Sequence, residues 1–198
     1  TQSETSNIKD TVNRLAMAYP QVHFSLSDEK RMIYNYTPAT SLLSRITQII
    51  GKSFDENALA VETDYEDTKL TGFVGLPTYT RSTSQDQYLF VNGRFVKDKV
   101  LIGAIRGAFQ GLIGHDTHPV LALFLSVPPQ EVDVNVHPAK TEVRFSNAAK
   151  IRGLLVSSIR NVLAENGHRT SSTIGIGALE KSISNVPFSN KSHSFSYN

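Results

Sequence analysis

Asp133, Asn135, His137 and Lys140 fall within eight positions of the stretch DVNVHPAK, with Pro138 between the last two. An aspartate and a histidine in one short run raise three readings: a metal site, a nucleophilic relay, or a strand that merely has a polar face. Val132, Val134 and Val136 alternate with the polar residues, so one face is apolar and the other presents Asp133, Asn135 and His137 in a row. Such alternation is the default of antiparallel sheets, and Pro138 ends the ladder and throws Lys140 onto a turn. A metal needs converging ligands, yet residues two apart on a strand are separated by about 6 to 7 Å. His115 and His118 in GHDTHP are the candidates to complete a shell, although loop histidines are commonly solvated. Nothing in the chain resembles a nucleophile elbow.

A second constellation is cationic. Arg94, Lys97, Lys99 and Arg106 lie close together in NGRFVKDKVLIGAIR, and Lys99 and Arg106 are seven apart, hence on one face of a helix. The bland reading is the solvated side of an amphipathic helix. The functional reading is a sequence-independent contact with nucleic-acid phosphates, as in a stand-alone nucleic-acid-binding module. Arg81, in a polar stretch, is a weaker candidate for the same role.

These residues need elements to hold them. QYLFVNGRF reads as a strand, an Asn-Gly turn and a short strand, followed by a helix with Val100, Leu101, Ala104, Ile105, Ala108, Phe109 and Leu112 on one face. PVLALFLSV is a strand. A last helix starts at Ser146 or Asn147, carries Ile151, Leu154, Leu155, Ile159, Val162 and Leu163, and stops at Gly167. Upstream, a helix capped by Ser6 or Asn7 precedes a hairpin of VHFSLS and RMIYNY. A second helix opened by Thr40 stops at Gly51, and LAVETD and LTGFVGL form two more strands. YTRSTSQDQ has no apolar pattern and is expected to be a mobile loop. The order predicts an α/β fold of the α+β sandwich kind: a mixed sheet near 75–165 with helices on one face and an αββα section packed beside it.

Composition sets the outer bounds. With 198 residues and 39% hydrophobic content, the chain can build one good core or two small ones, and a formal charge of +2 permits a nucleic-acid partner without demanding one. There are no cysteines, which excludes disulfides and thiolate metal sites. No apolar run matches a bilayer span and TQSETSNIKD is unlike a signal peptide, so a soluble, cytoplasmic protein with no membrane partner is expected.

QYLFVNGRFVKDK, then VDVNVHPAKTEVRF about forty residues later, with GFVGLP upstream, closely resembles the MutL family of DNA mismatch-repair proteins over about 5–166. The resemblance implies the transducer, the second domain of the amino-terminal GHKL ATPase region. That domain is similar to the second domain of DNA gyrase B and has a left-handed βαβ crossover, against the usual hand. It implies that Lys140 reaches the γ-phosphate of ATP held in the preceding domain, with Asp133, Asn135, His137 and Pro138 aiming it. It also implies that the position of Lys99, with Arg106, Lys97 and Arg94, belongs to a groove for the DNA backbone. The family's Mg-binding Asn, general-base Glu, DxGxG stretch and lid are absent; GIGALE at 175–180 lacks the lid's arginine. The expectation is therefore a transducer domain at 1–167 and a flexible Ser/Asn-rich linker at 168–198. The chain would hold no cofactor or metal and be no enzyme by itself, with ATP and Mg bound in the intact protein. The partners implied are DNA, a second MutL copy, MutS and a downstream repair nuclease, with some nucleoid association during repair.

Overall fold

A computed structural model of the chain describes residues 2–134 and 141–183, with side chains over 4–134 and 141–166. Helix α1 (Gln2–Ala18) leads into a hairpin of β1 (Phe24–Ser27) and β2 (Met32–Tyr36), followed by α2 (Leu42–Ile50) and α3 (Ser53–Asn57). Strands β3 (Ala58–Tyr65), β4 (Thr68–Gly75), β5 (Thr80–Arg81), β6 (Gln87–Val91) and β7 (Arg94–Phe95) come next. They are followed by α4 (Lys99–Phe109), β8 (His118–Pro119), β9 (Leu121–Ser126), β10 (Val132–Asp133), β11 (Arg144–Phe145) and α5 (Ala148–Ile183).

The central sheet runs β3-β4-β9-β6-β7, antiparallel throughout except between β9 and β6. Parallel neighbours cannot be joined by a tight turn, and here α4 supplies the crossover. QYLFV and LALFLS are nearly unbroken apolar runs because both faces of these strands are covered. Leu89, Val91, Leu121, Leu123 and Leu125 pack under α4 and α5. Tyr88, Phe90, Val120 and Ala122 point the other way, against Met17 of α1, Ile46 of α2 and Phe54 of α3. The mixed sheet with helices is as expected. The early helices do not sit beside the sheet but close its second face.

Local chemistry explains where elements depart from the sequence reading. Helix α1 begins at Gln2, before the Ser6 and Asn7 caps. In α2 the cap is Ser41, whose Oγ accepts from the Ser44 amide at 3.1 Å, rather than Thr40. Helix α3 is five residues long, too short to show a period. The stretch expected as a mobile loop is structured: β5 pairs with β8, and Arg81 binds Asp86 at 2.9 Å and the Tyr79 hydroxyl at 2.8 Å. A non-local strand partner and an ion pair replace the missing apolar pattern there. Arg45 is fully buried and donates to the carbonyls of Pro20 and Val22 at 2.6 and 2.5 Å, so α2 clasps the chain leaving α1. At the other end, Asn147 Oδ1 accepts from the Lys150 amide and starts α5, which runs past Gly167 to Ile183. The chain divides into two compact units, Thr1–Leu163 and Ala164–Asn198. The part of the expected linker beyond Ile183 lies outside the described residues.

Candidate functional site

The Asn92-Gly93 turn is a two-residue hairpin with both residues left-handed, at φ 48° and 78°. Asn92 does more than turn. Its Nδ2 donates to the Val127 carbonyl at 3.0 Å and its Oδ1 accepts from the Val127 amide at 2.9 Å, while its own amide donates to Leu125 at 2.9 Å. One side chain thus imitates a further rung of the β6–β9 ladder. With the turn fixed, Arg94 is set out into solvent, Phe95 pairs with Phe90, and the Val96 amide returns to the Leu89 carbonyl at 2.8 Å. Asp98 then caps α4, its Oδ1 accepting from the amides of Val100 and Leu101.

Between these anchors the first motif meets the second. The Lys97 amide donates to the Thr141 carbonyl at 2.7 Å, and β10 pairs with β11 through Val132↔Phe145 and Asp133↔Arg144. Val132, Val143 and Phe145 are buried in the core that α4 and α5 cover. Both flanks of the 135–140 segment are therefore held, one by the short ladder and one by the bond to Lys97. Asn135, His137, Pro138 and Lys140 lie outside the described residues. Asp133 is exposed and sits opposite Arg144. Among the described residues no group of three His, Cys, Asp or Glu could hold a metal ion. His118 stands opposite Arg81 in the small β5–β8 sheet.

Arg94, Lys97, Lys99 and Arg106 are all exposed, and none has an ion-pair partner among the described residues. Arg81 differs: its guanidinium is spent on Asp86 and Tyr79, 4.6 Å over the Tyr79 ring, which removes it from the cationic surface. A cleft of about 650 Å³ elsewhere, beside Tyr65, Glu66, Glu131 and Lys150, is bridged by Lys150 to Glu66 at 2.5 Å and to Glu131 at 3.5 Å. Those glutamates favour the charged ammonium and raise the Lys150 pKa, the hydrogen bond to Glu66 being the largest cause. The roles of Asn92 and Thr141 were not legible as contacts in the sequence, although Asn-Gly was legible as a turn.

A family model described as DNA mismatch repair protein, C-terminal domain, matches residues 46–164. The chain is 50% identical over 186 residues to the DNA mismatch repair protein MutL of Paramagnetospirillum magneticum, an alignment covering 90% of this chain and 31% of that protein. MutL of Rhodospirillum rubrum is 49% identical over 183 residues, with 90% and 29% covered. The chain thus spans about a third of the length of these relatives. Among solved structures, the N terminal domain of a DNA repair protein superposes with a TM-score of 0.66 at 16% identity, covering 83% of this chain and 55% of that one. The Aquifex aeolicus MutL ATPase domain complexed with ADP gives 0.52 at 19%, with 78% and 48% covered. These two speak to the fold, a mixed sheet with helices. No helix among the described residues is long and apolar enough to cross a membrane. With the family model matched over most of the central sheet and both motifs, and with half of the aligned residues identical to those of a MutL protein, the chain belongs to the MutL family of DNA mismatch repair proteins.

Proposed function

We propose that this chain is the transducer of a MutL-type mismatch-repair protein, coupling ATP binding and hydrolysis in an adjoining GHKL domain to dimer closure, DNA binding and partner recruitment. The observation that carries the reading is the bond between Lys97 and Thr141, which ties the residue preceding the α4 cap to the residue following Lys140. A lysine at the end of a segment held on both flanks loses little freedom when it engages a phosphate. As a compact cation with three donors, it suits charge building on a transferred phosphoryl group. On this reading Lys140 contacts the γ-phosphate, and Asp133, Asn135, His137 and Pro138 aim it. On this reading ATP and Mg belong to the adjoining domain of the intact protein. Lys99, Arg106, Lys97 and Arg94 take DNA phosphates without regard to sequence. A second MutL copy, MutS and a downstream nuclease are the partners this coupling would serve, in the cytoplasm. Residues beyond 167 would serve as the tether to a further domain.

The test is Lys140→Ala in the intact ATPase-containing protein. Turnover at saturating ATP should fall about 30- to 1000-fold, the loss of about 2 to 4 kcal/mol typical of a preorganised charge donor. Thermal stability should move little, because the sequence expects Lys140 on a turn, where a lysine contributes within about 0.5 kcal/mol. Nucleotide affinity should drop less than turnover, since only a contact that strengthens in the transition state accelerates the chemical step. Unchanged turnover would return Lys140 to an ordinary solvated lysine.

A further inference from the structure

Helix α4 and the part of α5 up to Ala164 carry charge of one sign. The sequence has no Asp or Glu from 99 to 115 or from 143 to 164, and within those stretches it has Lys99, Arg106, Arg144, Lys150, Arg152 and Arg160. The flanks of α5 use their cations differently. Lys150 is largely covered and engaged with Glu66 and Glu131. Arg152, Val156 and Arg160 follow one another at four-residue steps on another flank. That flank faces α4: Val156 Cγ2 lies 3.8 Å from where a Cβ on Gly107 would stand, and Arg160 donates to the Gly107 carbonyl at 2.9 Å. Arg160 is thereby moored at the seam next to Arg106. Its guanidinium is exposed, with no carboxylate and no other hydrogen-bond partner among the described residues.

The α4 side of the seam is unusually bare. Gly103 falls on the outward face between Lys99 and Arg106, and a Cβ built there would meet nothing within 4 Å. Glycine is unfavourable in a helix interior, and packing gives no reason for it at this position. Backbone therefore lies open between two cations about 10 Å apart along the helix axis, at about 1.5 Å rise per residue. A protein partner would want an apolar or aromatic anchor at the centre of such a surface. Lys99, Gly103, Arg106 and Gln110 offer none. A duplex, with a charge for about every 1.7 Å of its axis, needs only cations and room.

We propose that the seam of α4 and α5 is a two-helix track for the phosphate backbone of duplex DNA, in which Arg160, followed by Arg152, extends the contact begun by Lys99 and Arg106. The proposal rests on the DNA-binding reading above and adds α5 to it. Held to Gly107 by one N–H, Arg160 keeps its other donors for a phosphate, and little side-chain freedom is lost on binding.

The experiment is fluorescence anisotropy of the 198-residue chain with a labelled random-sequence duplex of about 30 base pairs, titrated over a salt series starting at about 50 mM. Arg160→Glu should weaken binding at least about fivefold at low salt on every sequence alike. It should also lower the slope of log K against log salt by about one, as expected for one lost phosphate contact. Arg160→Lys should restore most of the affinity, and Arg152→Glu should weaken binding by a smaller factor. Should Arg160→Glu fail to fold, Arg160→Gln and Arg152→Glu carry the same slope test. If Lys99→Glu weakens binding while the α5 variants match wild type, the α5 extension is wrong and the Lys99 reading survives. If Lys99→Glu also has no effect, or the wild-type chain binds no duplex at low salt, both readings fall. Loss of binding to polyglutamate but not to duplex in Arg160→Glu would assign the seam to an acidic protein segment and overturn the proposal.

Discussion

At the scale of a residue, the fold depends on side chains that take the place of backbone partners. Asn92 is the clearest, since it supplies both a donor and an acceptor to Val127 at the edge where β6 gives out. Arg45 is another, a buried cation whose charge is spread over two carbonyls and which lies 6.0 and 5.9 Å from the rings of Phe24 and Tyr36. Burial disfavours its charged form and lowers its pKa, but a guanidinium stays ionised all the same. Asn92→Ala should cost about 2 to 4 kcal/mol in urea denaturation, because two part-buried backbone groups of Val127 are left without partners. Asn92→Asp should fall between, since a carboxylate accepts from the Val127 amide but cannot donate to its carbonyl. An alanine variant as stable as wild type would mean that water replaces the rung at no cost.

At the scale of an element, the pairing of β4 with β9 contains a very close approach of the two strands. Gly72 holds φ at 134°, and a Cβ there would collide with the carbonyl oxygen of Ala122. Only glycine combines that backbone angle with so close a neighbouring strand. Gly72→Ala should therefore destabilise by more than about 3 kcal/mol, beyond the usual range of single substitutions, or leave the sheet unformed. Loss of cooperative unfolding in the near-ultraviolet circular dichroism would register it; a shift of under about 1 kcal/mol would show that β4 can slide away from β9 at little cost. The same strand pair sets the position of β6, and β6 carries the Asn92 turn. A defect at Gly72 should thus reach the cationic surface through the sheet rather than through contact.

At the scale of the whole molecule, the sheet is a partition. One face takes α4 and α5 with the cationic seam, and the other takes α1, α2 and α3. The first compact unit closes at Leu163, the last buried apolar residue of α5 among the described side chains. On the proposed reading this face meets phosphates, and one lysine cannot stand in for a base, a metal ligand and a purine slot. The 198-residue chain alone is accordingly expected to show no micromolar heat of ATP binding by calorimetry and no turnover. Micromolar binding would contradict its reading as a transducer that completes a site held elsewhere.

The sequence by itself determined the types of the long elements and the motif positions. Apolar spacing at Leu101, Ala104, Ile105, Ala108 and Phe109 specifies a helix wherever the chain goes, and Asn92-Gly93 specifies a tight turn from local backbone energetics alone. DVNVHPAK and VNGR carried the resemblance to the family because they are short and contiguous. Tertiary structure decided what such local signals cannot encode. It put α1, α2 and α3 on the far face of the sheet, because β6 and β9 are apolar on both sides. It ordered the stretch around Arg81 through a strand partner more than thirty residues away. It also brought Arg160 to Gly107 and Lys97 to Thr141, pairs linked only by the packing of the elements between them.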